Sequence, residues 1–184
     1  MTTETLIVLG VLVVIAVLAL VWFYGARNRR TRLREKFGPE YDRTVQDVGS
    51  EDKADALLHE RAKRVSKYRI RDLNHDERSR FSDSWRRVQA KFVDDPAAAV
   101  TDADMLVTEV MTVRGYPMAD FDRRAEDLTV DHPHVVEHYR HARGIAVRHA
   151  RGGASTEDLR QALVHYRALF AELLEEPKHM RKSA

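Results

Sequence analysis

The stretch Ser155–Leu174, STEDLRQALVHYRALFAELL, decides the fold class of this chain. Its apolar side chains recur every three or four residues, at Leu159, Ala162, Leu163, Tyr166, Leu169, Phe170, Leu173 and Leu174. Such a stripe is typical of an amphipathic helix that buries one face. Ser155 followed three residues later by Asp158 forms a capping-box pattern, in which each side chain bonds the backbone N–H of the other. The stretch therefore predicts a helix that begins just after Ser155.

Similar start and stop signals recur through the rest of the chain. The further predicted helices run from Gly38-Pro39 to Gly49, from Ser50 through Val65, from Asn74 through Phe92, from Asp95-Pro96 to Gly115, over 119–128, and from His132-Pro133 to Gly152-Gly153. No alternating β-branched run of five or more residues is bounded by turns, so no strand is predicted. The sequence predicts an all-α protein with a compact bundle of five to seven helices.

An uncharged apolar segment precedes this bundle. Leu6–Tyr24, LIVLGVLVVIAVLALVWFY, contains nineteen residues, which as a helix cover about 28 Å of the ~30 Å hydrocarbon core of a bilayer. Trp22 and Tyr24 lie at its end, where aromatic rings favour the lipid–water interface. A cleaved signal peptide would have a basic start, whereas the one charge before this segment is Glu4. The segment predicts a single N-terminal transmembrane helix.

The residues after this segment are strongly basic. They carry Arg27, Arg29, Arg30, Arg32, Arg34 and Lys36 against one Glu, a net charge of +5. The positive-inside rule therefore predicts a single-pass protein of the cell (inner) membrane, with the N-terminus outside and the C-terminal domain in the cytoplasm. An extracytoplasmic C-terminal domain is the alternative. The six cations are also candidates for contact with the membrane surface, because anionic headgroups attract them.

These patterns divide the chain into four parts. We expect an N-terminal tail and transmembrane helix over 1–25, a basic juxtamembrane stalk over 26–37, a soluble helical domain over 38–176 and a flexible tail over 177–184. A second basic stretch near the stalk consists of Arg61, Lys63, Arg64, Lys67, Arg69 and Arg71. We interpret it as a solvated face, with contact to the membrane surface as the alternative.

Composition excludes several functional classes. The 184 residues include 31 Lys+Arg and 29 Asp+Glu, a net charge of +2 that argues against a nucleic-acid partner. The chain has no Cys, which removes disulfides, thiolate metal sites and cysteine nucleophiles. It also lacks G-x-G-x-x-G, phosphate-loop and G-x-S-x-G motifs. We therefore expect no cofactor and no enzymatic activity.

Histidines between 134 and 141 form the one pattern that suggests metal chemistry. His134, Glu137 and His138 have the H-x-x-E-H order of inverted zinc proteases, but the large α/β cavity of those enzymes is not expected in a helical bundle. On a helix, His134, His138 and His141 would lie within an arc of about 60° and could hold a metal. A metal-binding or metal-sensing domain is therefore the alternative function, and polar residues at the edge of a buried face are the simpler explanation.

A predicted loop supplies two candidates for partner binding. Arg114–Asp122, RGYPMADFD, contains Tyr116 and Phe121. Loops carry recognition more often than regular elements do, and aromatic rings are frequent anchors at interfaces. The other interpretation is that both rings pack into the core.

Four segments together resemble a known family. They are LREKFGPEYDRTV at Leu33–Val45, RFSDSWRRVQAKFVDDPAAAV at Arg80–Val100, LVTEVMTVRGYPMADFDRRAEDLTVDHPHVVEHYR at Leu106–Arg140 and STEDLRQALVHYRALFAELL at Ser155–Leu174. The chain resembles a widespread family of bacterial, largely actinobacterial, helical proteins with an N-terminal apolar segment. This resemblance implies no activity, cofactor or site residue. We interpret the chain as a non-enzymatic, membrane-tethered helical module whose partners are the lipid bilayer and another protein.

Overall fold

A computed structural model describes residues 12, 17, 20, 27–117 and 120–175. All regular structure in these ranges is helical, which confirms the all-α prediction. The helices are α1 (27–37), α2 (Pro39–Val48), α3 (Glu51–Val65), α4 (His75–Lys91), α5 (Pro96–Arg114), α6 (Phe121–Asp131), α7 (Val136–Ala150) and α8 (Thr156–Leu174).

The predicted transmembrane helix and the predicted C-terminal tail fall largely beyond these ranges. Of the segment Leu6–Tyr24, the structure describes Leu12, Val17 and Leu20, which are helical. Residues 177–184 lie outside the described residues. No helix among the residues that were described combines the length and the apolar character needed to cross a bilayer.

The chain divides into two compact units, Met1–His59 and Glu60–Ala184. In the first unit, α1 buries Leu33 and Phe37, which lie one helical turn apart, and α2 buries Tyr41. The predicted basic stalk, residues 26–37, is assigned by this division to the same unit as α2. Leu33 and Phe37 give α1 an apolar face, and the burial of this face explains why α1 belongs to the same unit as α2.

Local side-chain bonds explain where α4 and α8 begin. The Asn74 side chain accepts a hydrogen bond from the Glu77 backbone N–H at 2.8 Å, and the Glu77 carboxylate accepts one from the Asn74 N–H at 2.9 Å. Ser155 and Asp158 form the same reciprocal pair at the start of α8, at 3.1 and 2.8 Å. Both predicted capping boxes are therefore confirmed.

The end of α5 is fixed by a glycine and by the segment that precedes α4. Gly115 has φ +95°, and a Cβ there would lie 2.4 Å from the carbonyl oxygen of Arg69. The Arg71 N–H donates to the Arg114 carbonyl at 2.8 Å. Glycine is required here because both its left-handed backbone and its missing side chain allow this close approach.

The second unit is built around α5 and α8. The α5 helix packs against α4, α7 and α8, and α7 packs against α6 and α8. Fully buried residues at the centre include Val107, Val110, Leu128, Tyr166 and Leu169. Trp85 of α4 stacks on Phe170 of α8, with ring centroids 4.8 Å apart. These apolar contacts hold the polar clusters of the unit in place.

The turn between α6 and α7 differs from the sequence prediction. The α6 helix continues to Asp131, because the His132 N–H donates to the Leu128 carbonyl at 2.8 Å. The next helix begins at Val136 rather than at His132-Pro133. As a result, His134 lies in a turn and not on α7.

Candidate functional site

Three histidines meet where α7 packs against α8. His138 and His141 come from α7, and His165 comes from α8. The Nδ1 atoms of His138 and His165 are 2.9 Å apart, a hydrogen-bond distance. The His141 ring stacks on the His165 ring, with centroids 5.3 Å apart and an interplanar angle of 21°. We call these three residues the histidine cluster.

The contact between His138 and His165 limits the protonation of both rings. One Nδ1 must donate a proton and the other must accept it, so the bond cannot survive protonation of both atoms. Burial, and then the charges of His138 and His141, lower the pKa of His165. The ionisable groups that act on His165 are these two histidines, and no carboxylate from the described residues is among them. The cluster therefore favours a neutral His165 near pH 7.

The predicted metal ligands do not come together as expected. His134 is exposed and precedes the first residue of α7, so its helical phase relation to His138 and His141 does not apply. Across the described ranges, no group of three or more His, Asp or Glu side chains is arranged to hold a metal ion. The arrangement on which the metal hypothesis depended, three histidines on one helix face, is not present.

His165 is the member of the cluster that sequence reasoning missed. A signal for it was available, because α7 and α8 are joined by a short turn around Gly152-Gly153. Consecutive helices joined in this way are usually antiparallel neighbours. His141 and His165 each lie twelve residues from Gly153, which would bring them to the same height in such a hairpin.

The two candidate residues for partner binding contribute to the core. Tyr116 is 3% exposed, and its hydroxyl donates to Asp131 Oδ2 at 3.1 Å. Burial raises the pKa of Tyr116. Phe121 is half-buried, with its ring centroid 4.7 Å from that of Tyr139. The structure therefore does not present Tyr116 as a surface anchor, and it gives Phe121 a packing role.

The basic flank separates into two groups of cations. Arg30 binds three carboxylates, those of Glu51, Asp52 and Asp55. Arg34 binds Asp42 at 3.1 Å and lies over the Tyr41 ring. The other four cations, Arg27, Arg29, Arg32 and Lys36, are exposed. Two of the six membrane-surface candidates are thus paired with carboxylates of the first unit.

Part of the second basic stretch is committed to a buried carboxylate. Asp127 of α6 is 1% exposed and accepts hydrogen bonds from Arg64 Nε at 2.9 Å and Arg64 Nη2 at 2.7 Å. Its other oxygen accepts from the Tyr68 hydroxyl at 3.0 Å. Farther along the stretch, Arg71 pairs with Glu77 at 2.7 Å. Arg64 and Arg71 are therefore not free for a membrane surface.

A further set of buried polar groups had no sequence signal. Arg114 is 2% exposed, and its Nη1 donates to the Leu173 carbonyl at 2.9 Å, near the end of α8. His132 is 6% exposed, and its Nδ1 lies 3.2 Å from Glu172 Oε1. Burial lowers the pKa of His132. These residues tie the ends of α5 and α6 to the last turn of α8.

Comparison of the chain with protein-family models, with curated proteins and with solved structures finds no match. The resemblance to a family of membrane-anchored bacterial proteins stays a prediction.

Proposed function

We propose that this protein is a membrane-tethered helical interaction module without enzymatic activity. The apolar segment Leu6–Tyr24 anchors the chain in the inner membrane, and the helical body binds another protein at the cytoplasmic face. The lipid bilayer and this second protein are the partners. A tether of this kind raises the effective concentration of the body near other membrane proteins.

The observation that carries this proposal is the exposure of apolar side chains in the segment. Leu12, Val17 and Leu20 are helical and are 57%, 52% and 54% exposed. Exposed apolar surface costs about 25 cal/mol per Å² relative to an apolar surrounding. The segment contains no charged residue that would offset this cost. Burial of these side chains among lipid acyl chains would remove this free-energy cost.

The basic flank supports the cytoplasmic placement of the body. Its net charge of +5 lies within the 15–20 residues after the segment over which the positive-inside rule counts Lys and Arg. The remaining body, residues 37–184, carries a net charge of −2 and has no such bias. If the body were outside the cell, the flank with its charge of +5 would have to cross the membrane, which the positive-inside rule disfavours.

The polar clusters of the body support a binding role rather than a catalytic one. Arg64 pairs with the buried Asp127, and Arg30 pairs with three carboxylates nearer the surface, so these charges are neutralised within the chain. Recognition is then left to the exposed surface. Large apolar side chains exposed there include Val93 at 83%, Met105 at 58% and Val164 at 43%.

Membrane tethering is tested by fractionating cells that express the full chain and washing the membranes with alkaline carbonate. The wild type is expected to stay in the pellet. The variant Leu12→Arg/Val17→Arg is expected in the supernatant, because each Arg costs about 2.5–3.5 kcal/mol near the centre of a spanning helix. Leu57→Arg/Val93→Arg is the matched control, since it also replaces two exposed apolar residues, and it should stay in the pellet. Release of the wild type would overturn the proposal.

Partner binding is tested separately with a photo-crosslinking amino acid at Val93, Met105 or Val164. We expect a discrete adduct of one size from at least one position in living cells. The same adduct should weaken in the Leu12→Arg/Val17→Arg background, because the tether no longer concentrates the body at the membrane. Absence of a discrete adduct at all three positions would count against an interaction through this surface.

A further inference from the structure

The helical register of α1 sorts its cations by face. Leu33 and Phe37 are buried, and Arg30 lies on the same side, where it binds carboxylates. At about 100° per residue, Arg29, Arg32 and Lys36 share an arc of roughly 60° on a neighbouring face. Arg27 projects from the side opposite these three. The basic flank therefore contains a continuous line of three cations at spacing i, i+3, i+7.

These three cations are available to bind a ligand. Arg29, Arg32 and Lys36 are all exposed. None of them has an ion-pair partner within residues 27–117 and 120–175, in contrast to Arg30 and Arg34. A line of unpaired like charges repels itself in a folded helix and is favoured when an anionic surface neutralises it.

We propose that Arg29, Arg32 and Lys36 form a cationic stripe that binds the headgroups of anionic phospholipids. The inference rests on the proposed function, because the segment Leu6–Tyr24 has to hold the stripe at the bilayer. Arg29 follows that segment by five residues, and the stripe then extends about 10 Å along the helix. This length is close to the distance over which the membrane surface potential acts at physiological salt. The two arginines suit phosphate groups, since a guanidinium can donate two parallel hydrogen bonds.

The contact can be measured with the full chain in lipid nanodiscs. The protein contains no Cys, so Asn28→Cys gives a single labelling site beside the stripe. Energy transfer from a fluorophore at this site to a headgroup-labelled lipid reports the distance to the bilayer surface. We expect transfer to rise about twofold when about one-third of the phosphatidylcholine is replaced by phosphatidylglycerol. High salt should remove the rise, because it screens exposed charges.

Two triple variants decide whether the stripe is responsible. Arg29→Gln/Arg32→Gln/Lys36→Gln is expected to abolish the rise. Lys53→Gln/Arg151→Gln/Arg167→Gln removes the same charge from exposed positions outside both basic stretches and is expected to retain it. Circular dichroism of both variants checks that the helices are unchanged.

The possible failures are distinguishable. Equal transfer in neutral and anionic discs, or a rise that persists in the first variant, would overturn the stripe while leaving the tether intact. Failure of the wild type to enter either kind of disc would overturn the tether, and the stripe with it.

Discussion

The cluster around Asp127 and the histidine cluster both join polar side chains from different parts of the second unit, but they differ in charge and burial. Asp127 is 1% exposed and is bonded by a guanidinium and a phenol. His165 is half-buried and contacts two other histidines, His138 and His141. The Asp127 cluster therefore pairs a buried carboxylate with a cation. In the histidine cluster, protonation of both Nδ1 atoms would break the bond between His138 and His165.

Removal of Asp127 is expected to have the largest effect. Asp127→Ala leaves Tyr68 without its acceptor and leaves Arg64 with Glu126 alone, 3.1 Å away. Loss of one partner from a buried ion pair costs about 3–5 kcal/mol. Because the Arg64 side chain is 24% exposed, we expect a loss of about 3 kcal/mol in the free energy of unfolding, at the low end of that range. Denaturant unfolding followed by circular dichroism measures it.

A double variant sharpens this test. Arg64→Met/Asp127→Leu replaces the pair by apolar side chains of similar size, which is often neutral for stability. It should be more stable than Asp127→Ala. If the double variant is less stable than Asp127→Ala, the unpaired charge left by Asp127→Ala is not the main cause of its loss of stability.

The phenol of this cluster is expected to contribute less. Tyr68→Phe removes one hydrogen bond to a charged acceptor, which is worth about 1.5 kcal/mol. Burial and the bond to Asp127 raise the pKa of Tyr68, so the phenol stays protonated near neutral pH. The loss should therefore be the same at pH 6 and pH 8. A loss that changes between these two values would contradict the assignment.

The histidine cluster predicts a pH dependence of smaller size. The lowered pKa of His165 means that the unfolded chain binds this proton more readily than the folded one. Its contribution to stability is therefore present above the ordinary histidine pKa of about 6.5 and is lost as the pH falls through the lowered value. We expect the thermal midpoint of the wild type to fall from pH 7.5 to 5.5, and less steeply in His165→Gln. Equal slopes would contradict the cluster's role.

His132 has to be considered in this experiment. Burial lowers its pKa as well, so it adds a slope of the same sign to both proteins. Subtracting the pH slope of His165→Gln from that of the wild type removes the contribution of His132, which is common to both proteins. Carboxylates such as Glu77, whose pKa is lowered to about 2 by its bonds to Arg71 and to the Asn74 N–H, stay ionised throughout.

The smallest effect is expected at His134. His134→Ala changes an exposed side chain in the turn before α7, and such substitutions are usually within ±0.5 kcal/mol. Denaturant unfolding followed by circular dichroism measures the change. A loss of more than about 1 kcal/mol would show that His134 makes contacts that its exposure does not indicate.

The helices were predictable because their signals are local. Each capping box joins two residues that are three apart, and Gly115 directly follows the helix that it ends. The assignment of His134 to α7 was wrong because α6 extends further than its apolar residues indicated, which leaves a turn from His132 to Val135. A helix boundary that depends on the preceding helix is not visible in a local pattern.

The polar clusters were less predictable. Arg64 and Asp127 are 63 residues apart, and each resembles an ordinary charge on a solvated helix face. Their pairing depends on the tertiary packing of the second unit, and residue spacing along the chain does not reveal that packing. His165 is the intermediate case, because the symmetry of the hairpin around Gly153 points to it although its own neighbours do not.

Because Trp85 stacks on Phe170, its fluorescence reports whether α8 is packed against α4. The chain contains two tryptophans, one in the apolar segment and one, 6% exposed, between α4 and α8. If Trp22 is replaced by Phe, all tryptophan emission comes from the second position. Separation of α8 from α4 would then move the emission to longer wavelength as the indole enters water. Stopped-flow fluorescence of that single-tryptophan chain would time the docking of the last helix directly.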